Sequence, residues 1–324
     1  MAIIERAAVI GGGVIGASWA ALFLSRGIGV ALFDPADPDG VAVRGYVAKA
    51  WPALREIGLA ESADPGAVTA HASAAAAVDG AAFVQESVPE RRELKHRVFA
   101  EIEPALPADA IVASSASGLT LSEMQQGWRN PARFILGHPF NPPHLIPLVE
   151  LMSNERTAPG VIDRAESIYQ DLGKITIRIR REVPGHVANR LQAALWREAI
   201  HLVTSGVATV EDVDKAVWAG PGLRWAAMGP TMLFSLGAGP GGLAEFCARY
   251  AESFHCWWDD LGGARLDAKT ASALIEGAGA AMAGRSVEAL GAERDALLLA
   301  ILNASRTIRA ARAEREREQP EGPA

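Results

Sequence analysis

The sequence predicts an α/β protein, with a doubly wound, mostly parallel sheet followed by an all-helical C-terminal domain. Three observations carry this. Residues 8–24 read as a short apolar strand, a glycine turn and a helix; short apolar strands then alternate with helical stretches as far as Ile179; beyond Pro184-Gly185 only helical patterning remains. Such alternation specifies parallel strands joined by crossover helices. Pro and Gly within Glu182-Val-Pro-Gly185 interrupt both periodicities, which places the domain boundary there and divides the chain into 1–183 and 184–324.

In the first stretch, Gly11, Gly13 and Gly16 fit the spacing G-x-G-x-x-G. The first glycine of such a turn makes it tight, the second lets backbone approach a pyrophosphate, and the third lets helix pack on strand. The helix starting near Val14 offers unpaired amides and the positive end of its dipole to an anion. Gly11, Gly13, Val14, Ile15 and Gly16 are therefore candidate cofactor contacts. A second apolar run, 29–33, ends in Asp34. An acidic side chain there accepts from both ribose hydroxyls of NAD and repels the 2'-phosphate of NADP. The sheet is expected to be Rossmann-type, with NAD as its cofactor.

Past a Pro/Asp/Gly-rich turn at 35–40, a helical stretch covers 41–57, with a disturbance expected at Pro52. Residues 68–70 and 81–85 are short strands on either side of an alanine-rich turn of helix. Leu94, Val98 and Ile102 recur every four residues in 91–102, which puts one helix face on the sheet. Residues 110–113 and 133–137 read as further buried strands, and 148–151 and 175–179 as late ones flanking a helix over 161–172. Ile175, Ile177 and Ile179 alternate with Thr176, Arg178 and Arg180, which gives one buried face, one polar face and a place near a sheet edge. In the second half, 186–204 carries Val187, Leu191, Leu195 and Leu202 on one helical stripe, with Asn189, Gln192 and Trp196 beside it. Thr209 heads a further helix whose early Glu211, Asp212 and Asp214 suit the dipole. Residues 219–242 are rich in Gly and Pro, the chain as far as Arg312 is helical again, and the tail from Arg312 mixes charge signs as a frayed, solvated helix does.

At 324 residues, 49% apolar and 21% charged, the chain is long enough for two globular domains with full cores. A net charge of -7 argues against nucleic acid or an anionic membrane as partner. Cys247 and Cys256 are too few for a disulfide framework and lack the second cluster of a zinc site, so no metal is expected. Residues 7–25 carry no charge and imitate a membrane span. Their glycines at turn spacing, with Glu5 and Arg6 in place of a basic leader, favour a buried strand-turn-helix, and the chain reads as soluble and cytoplasmic.

A dinucleotide site needs a group to move a proton while hydride leaves carbon. The richest segment is Gly137-His138-Pro-Phe-Asn141-Pro-Pro-His144-Leu-Ile-Pro-Leu-Val-Glu150. His138 is expected immediately after a strand, at the carboxyl edge where doubly wound sheets bind ligands. An imidazole there titrates near working pH and takes the proton of an alcohol. Glu150, on the next strand, is placed to hold the ring and stabilise its charged form. Taken alone, a histidine between strand and loop is more often structural.

Gly-His-Pro-Phe-Asn-Pro with Pro-Leu-Val-Glu, preceded by Ala113-Ser-Ser-Ala-Ser117-Gly-Leu119 and followed by Pro184-Gly-His-Val-Ala-Asn189-Arg-Leu191, resembles the 3-hydroxyacyl-CoA dehydrogenase superfamily, from the glycine turn to at least Pro230. The resemblance implies that His138 is the catalytic base and Glu150 its partner, that Ser117 and Asn189 bind the substrate oxygen, and that Glu90, Lys95 and Asn141 line the cofactor. Plainer roles stand beside these: a loop-capping hydroxyl for Ser117, a backbone cap for Asn189, a solvated charge pair for Glu90 and Lys95.

Gly222-Leu-Arg224-Trp225-Ala-Ala-Met-Gly229-Pro230 departs from the fatty acyl-CoA members and is similar to the branch containing L-gulonate 3-dehydrogenase (lambda-crystallin) and L-carnitine dehydrogenase. Arg224 can fork onto a carboxylate, which a free 3-hydroxy acid has and a thioester lacks; the alternative is a pair with a protein carboxylate. Tryptophans 196, 218, 225, 257 and 258 offer faces to a quaternary ammonium group, or else are core or dimer contacts. The expected activity is NAD-dependent oxidation of the 3-hydroxyl of a small 3-hydroxy acid, by a homodimer joined through the C-terminal domain. The competing readings are a 3-hydroxyacyl-CoA dehydrogenase and a non-catalytic, crystallin-like NAD-binding protein.

Overall fold

Alternate side chains of the first strand feed two different cores, which is what a sheet covered on both faces requires. Ala7 and Val9 join one buried cluster and Ala8 and Ile10 the other. The computed structural model describes residues 4–318. In chain order its first half contains β1 (Arg6–Ile10), α1 (Val14–Ser25), β2 (Gly29–Phe33), α2 (Val41–Ile57), β3 (Val68–Ala70), α3 (Ala74–Val78), β4 (Phe83–Glu86) and α4 (Arg92–Ile102). There follow β5 (Ile111–Ser114), α5 (Leu121–Gln125), β6 (Phe134–Pro139), β7 (Leu148–Met152), α6 (Val161–Asp171) and β8 (Ile175–Arg178). The eight strands form one sheet in the order β3-β2-β1-β4-β5-β6-β7-β8. Every pair is parallel except β6 with β7. This is the doubly wound Rossmann-type sheet expected.

Helix α1 is buried on nearly all sides, so an uncharged sequence suits it without any membrane. Among the described residues no helix is long and apolar enough to cross a membrane. One core cluster packs α1, α2 and α6 on the sheet through Trp19, Phe23, Leu54 and Tyr169, and the other packs α3, α4 and α5 through Phe99, Met124 and Trp128.

Several expectations change. Helix α2 runs through Pro52 without a break; Pro52 and Ala48, whose carbonyl loses its partner, both face solvent, where water replaces the bond. Strand β6 extends past Gly137 to include His138 and Pro139, because antiparallel pairing with β7 carries the ladder on to His138 opposite Glu150 and Pro139 opposite Val149. Strand β8 does lie at the sheet edge, but Ile175 is 48% exposed and only Ile179 of the three isoleucines is buried. An edge strand's outer part has no neighbour to cover it.

The chain divides into two compact units at Arg190/Leu191. The segment from Pro184 to Arg190 stays with the sheet, held by the His186 ring on the Ala116 carbonyl and by the amides of Val187 and Ala188 on Glu150. The remainder is helical: α7 (Ala188–Thr204), α8 (Val210–Ala219), α9 (Pro221–Ala227), α10 (Pro230–Gly237), α11 (Gly242–Asp260), α12 (Ala268–Met282) and α13 (Val287–Glu318). Thr209 caps α8 by accepting from the Asp212 amide. The Gly/Pro-rich stretch forms two short helices, each with proline in its first turn, where the missing N–H removes no helical bond. Cys247 and Cys256 are exposed free thiols. The charged tail is helical through Glu318, and the rest of it lies outside the described residues.

Candidate active site

The glycine turn is built by sterics. A Cβ on Gly16 would come within 1.8 Å of the Gly11 carbonyl oxygen, and one on Gly11, at φ +96°, within 2.7 Å of Ser87 backbone. Gly13 differs: a Cβ there meets nothing within 4 Å. The protein itself leaves that space open in front of the first turn of α1, whose N-cap carries no side-chain hydrogen bond. Val14 is 61% exposed and Ile15 half-buried at the same mouth. Asp34 at the end of β2 accepts from the Gly12 amide at 2.6 Å and the Ala36 amide at 2.8 Å, which fixes its carboxylate beside the turn. A cleft of about 680 Å³ runs past Gly13, Asp34, Val88, Arg97 and Glu101. An open phosphate-sized space on helix amides, with a fixed carboxylate one strand away, fits NAD.

Three strand ends along, β6 and β7 hold His138 and Glu150 as direct antiparallel partners. The His138 Nδ1 lies 2.8 Å from a Glu150 oxygen, with both side chains buried. Burial opposes charge on Glu150, but the His138 bond and the amides of Ala188 and Val187, at 3.0 and 2.9 Å, hold its carboxyl below the usual range. An ionised carboxylate only accepts, so the ring proton sits on Nδ1 and Nε2 keeps its lone pair.

The turn after β5 closes on Glu90. Ser117 donates its hydroxyl to Glu90 at 2.7 Å, and the amides of Ser117, Gly118 and Leu119 converge on the same carboxylate. Burial opposes charge on Glu90; those bonds, with Lys95 nearby, hold its carboxyl low. Lys95 is 1% exposed, so a solvated pair is ruled out for it. Its ammonium donates to Glu86 at 2.6 Å and to the Val88 carbonyl at 3.2 Å. Asn141 is exposed on the loop between β6 and β7. That loop is tied to α1 by Ser18 with His144, and by Lys174 donating to the Pro143 and Ile146 carbonyls. Burial, with Arg26 nearby, pushes Lys174 down to about 7. Asn189 is half-buried in the first turn of α7, next to the amides that hold Glu150. Arg224 lies in the second unit, exposed on α9.

Sequence reasoning missed Glu86, which also accepts from Ser114 at 2.5 Å, and Arg97 and Glu101 of the cleft. It also missed His186, fully buried 5.1 Å from the His138 ring. Its signal was available as a histidine directly after Pro-Gly, inside a motif already singled out.

Residues 6–183 match the family described as 3-hydroxyacyl-CoA dehydrogenase, NAD binding domain, and residues 185–271 the corresponding C-terminal domain. An L-carnitine dehydrogenase of Streptomyces griseus subsp. griseus is 45% identical over 93% of this chain and 90% of its own. One of Nocardiopsis dassonvillei is 44% identical over 96% and 95%. Among solved structures, a 5-formyl-3-hydroxy-2-methylpyridine 4-carboxylic acid 5-dehydrogenase, an NAD+-dependent dismutase, superposes with a TM-score of 0.79 at 29% identity, over 94% of this chain and 99% of that one.

Proposed function

We infer the reaction from one premise: the chain belongs to the 3-hydroxyacyl-CoA dehydrogenase family and is an NAD-dependent oxidoreductase. Its substrate is a small 3-hydroxy carboxylic acid of the L-carnitine type, oxidised at the 3-hydroxyl to the 3-keto acid. The observation that carries this is the buried His138, tied through Nδ1 to an anionic Glu150 and left with a basic Nε2.

NAD, when bound, supplies the acceptor for the hydride. Gly11, Gly13, Val14, Ile15 and Gly16 would hold its pyrophosphate and Asp34 its adenosine ribose, while Glu90 and Asn141 would line the nicotinamide side. Lys95 acts there through Glu86 and Val88, since its ammonium is already committed to them. His138 Nε2 takes the proton of the 3-hydroxyl, and Glu150 stabilises the resulting imidazolium. Asn189 donates to the substrate oxygen. Ser117, whose hydroxyl is given to Glu90 in the free protein, holds that oxygen by turning the same proton toward it.

Arg224 anchors the carboxylate end by paired hydrogen bonds. The exposed Trp196, Trp218, Trp225, Trp257 and Trp258 are not core residues of one chain, so the surface they offer is available to a trimethylammonium group or a second subunit. The relatives named L-carnitine dehydrogenase support the trimethylammonium acid over L-gulonate. The stripe of Val187, Leu191 and Leu195 is likewise exposed, at 41%, 66% and 38%, which supports a homodimer through the helical unit. The place of action is the cytoplasm.

The test is spectrophotometric. NADH formation is followed with L-carnitine, L-gulonate, 3-hydroxybutyrate and 3-hydroxybutyryl-CoA, for the parent chain and for His138→Gln and Arg224→Ala. L-Carnitine is the expected substrate. His138→Gln should lower kcat about 100-fold or more with NAD affinity unchanged, and Arg224→Ala should raise KM for free acids alone. Preference for the thioester, or full turnover by His138→Gln, overturns the reading.

A further inference from the structure

His186 combines features that rarely meet in one residue. Its backbone sits at φ +52°, in the left-handed region that non-glycine residues seldom enter. Its side chain is 1% exposed, its Nε2 lies 3.1 Å from the Ala116 carbonyl, and its buried Nδ1 has no hydrogen-bond partner among the described residues. A carbonyl only accepts, so the ring proton is on Nε2 and Nδ1 carries an unused lone pair. The ring is tilted by 55° against that of His138, with centroids 5.1 Å apart. A strained backbone and an unsatisfied buried acceptor both work against folding, and such features persist where function requires them.

The same residue lies between the Ser117 turn and the segment that holds Glu150. Ala116 precedes Ser117 in the turn after β5, and the two residues after His186 supply the amides that hold Glu150. The titratable groups around it are His138 on β6, Glu150 on β7 and Glu90 in the turn before α4. Burial pushes the His186 ring below the usual histidine value, the bond to Ala116 opposes this, and His138 adds to the lowering. The ring thus stays neutral beside a histidine that becomes charged.

We propose that His186 is a positioning residue for proton abstraction: a neutral imidazole locked with its Nδ1 lone pair beside His138, stabilising the imidazolium that His138 becomes. This rests on His138 being the base. The proton moves from the substrate hydroxyl to His138 Nε2 and stops there; His186 neither gains nor loses one. Its lone pair supplies the fixed dipole that desolvation would otherwise deny to the new charge.

Three substitutions separate this from simple anchoring of the Ser117 turn. His186→Phe keeps a ring and removes both nitrogens. His186→Asn keeps an acceptor near the Nδ1 position and is a residue that tolerates positive φ. His186→Gln reaches the Ala116 carbonyl but places no acceptor at Nδ1. The pH profile of kcat/KM for alcohol oxidation has an acid limb set by protonation of the base. His186→Phe and His186→Gln should move that limb down by about one unit and lower kcat about tenfold, the same free energy in both readouts. His186→Asn should keep the limb in place.

An unchanged limb in His186→Phe, or rescue by Gln and not by Asn, overturns the proposal. Nitrogen NMR of the unsubstituted protein tests it without any variant: His186 should hold its proton on Nε2 alone from pH 6 to 8, and the opposite tautomer sinks the idea. His138→Gln, assayed in parallel, separates the failures. If it retains turnover, the base assignment falls; if it is inactive while His186→Phe behaves as the parent, only the role of His186 falls.

Discussion

The two compact units treat their aromatic residues in opposite ways. In the first, Trp19, Phe23, Phe83 and Tyr169 are fully buried against one another between α1, α6 and the sheet. In the second, Trp196, Trp218 and Trp257 are 52%, 66% and 58% exposed, and among the described residues only Ile200, Val213, Ala238 and Leu299 are buried apolar side chains. The first unit covers these large aromatic side chains within itself, as a cofactor scaffold that must hold angles and distances does. The second leaves large apolar side chains uncovered in a single chain, which is the property of a surface made for ligand or subunit.

The largest effect expected is on the first unit. Gly16→Ala puts a methyl 1.8 Å from the Gly11 oxygen, backbone that cannot swing aside. It should cost more than about 4 kcal/mol, with loss of NAD binding seen by fluorescence titration; a folded, NAD-binding variant would show that the turn is slack.

Next comes the second unit. Leu195→Glu places a charge on the exposed α7 stripe, and sedimentation should show monomers in place of the proposed dimers with the melting of the sheet unit preserved. An unchanged dimer would move the interface elsewhere.

Acidification acts on the first unit through Glu150 and Glu90, both held low when folded. A carboxyl lowered by folding contributes stability above its unfolded value, about 4.3, and loses it as pH falls through the lower folded value. The two carboxyls should therefore add a fall in melting temperature below about pH 5, which Glu150→Gln should flatten. It joins a decline that begins below about 6.5, where His186 and His71, both held low when folded, resist the proton that the unfolded chain takes. Smallest of all, Lys215→Ala removes an exposed pair with Glu211 on α8, and no measurable change in melting temperature is expected.

What could be read in the sequence was local. Gly11, Gly13, Gly16 and Asp34 are spaced by the strand, turn and helix that carry them, and His138 with Glu150 lies across one loop, so both sets were legible. The bonds of Glu90 to 117–119, of Glu86 to Lys95 and Ser114, and of His186 to Ala116 join β4, β5 and the end of the sheet unit. No periodicity encodes which carboxylate meets which amide across a sheet. The exposure of the α7 stripe was hidden for the opposite reason: an apolar face has the same pattern whether it meets its own core or another chain.

Proton abstraction by His138 depends on a proton kept on its Nδ1 by an ionised Glu150. Glu150→Gln keeps the size of the side chain but turns an amide N–H toward that ring nitrogen, which favours the other tautomer and takes the lone pair from Nε2. With NAD and L-carnitine saturating, single-turnover NADH formation in this variant should slow about 100-fold or more while NAD binding is unchanged. A rate close to that of the parent protein would contradict the assignment of His138 and Glu150 as the proton-abstracting pair.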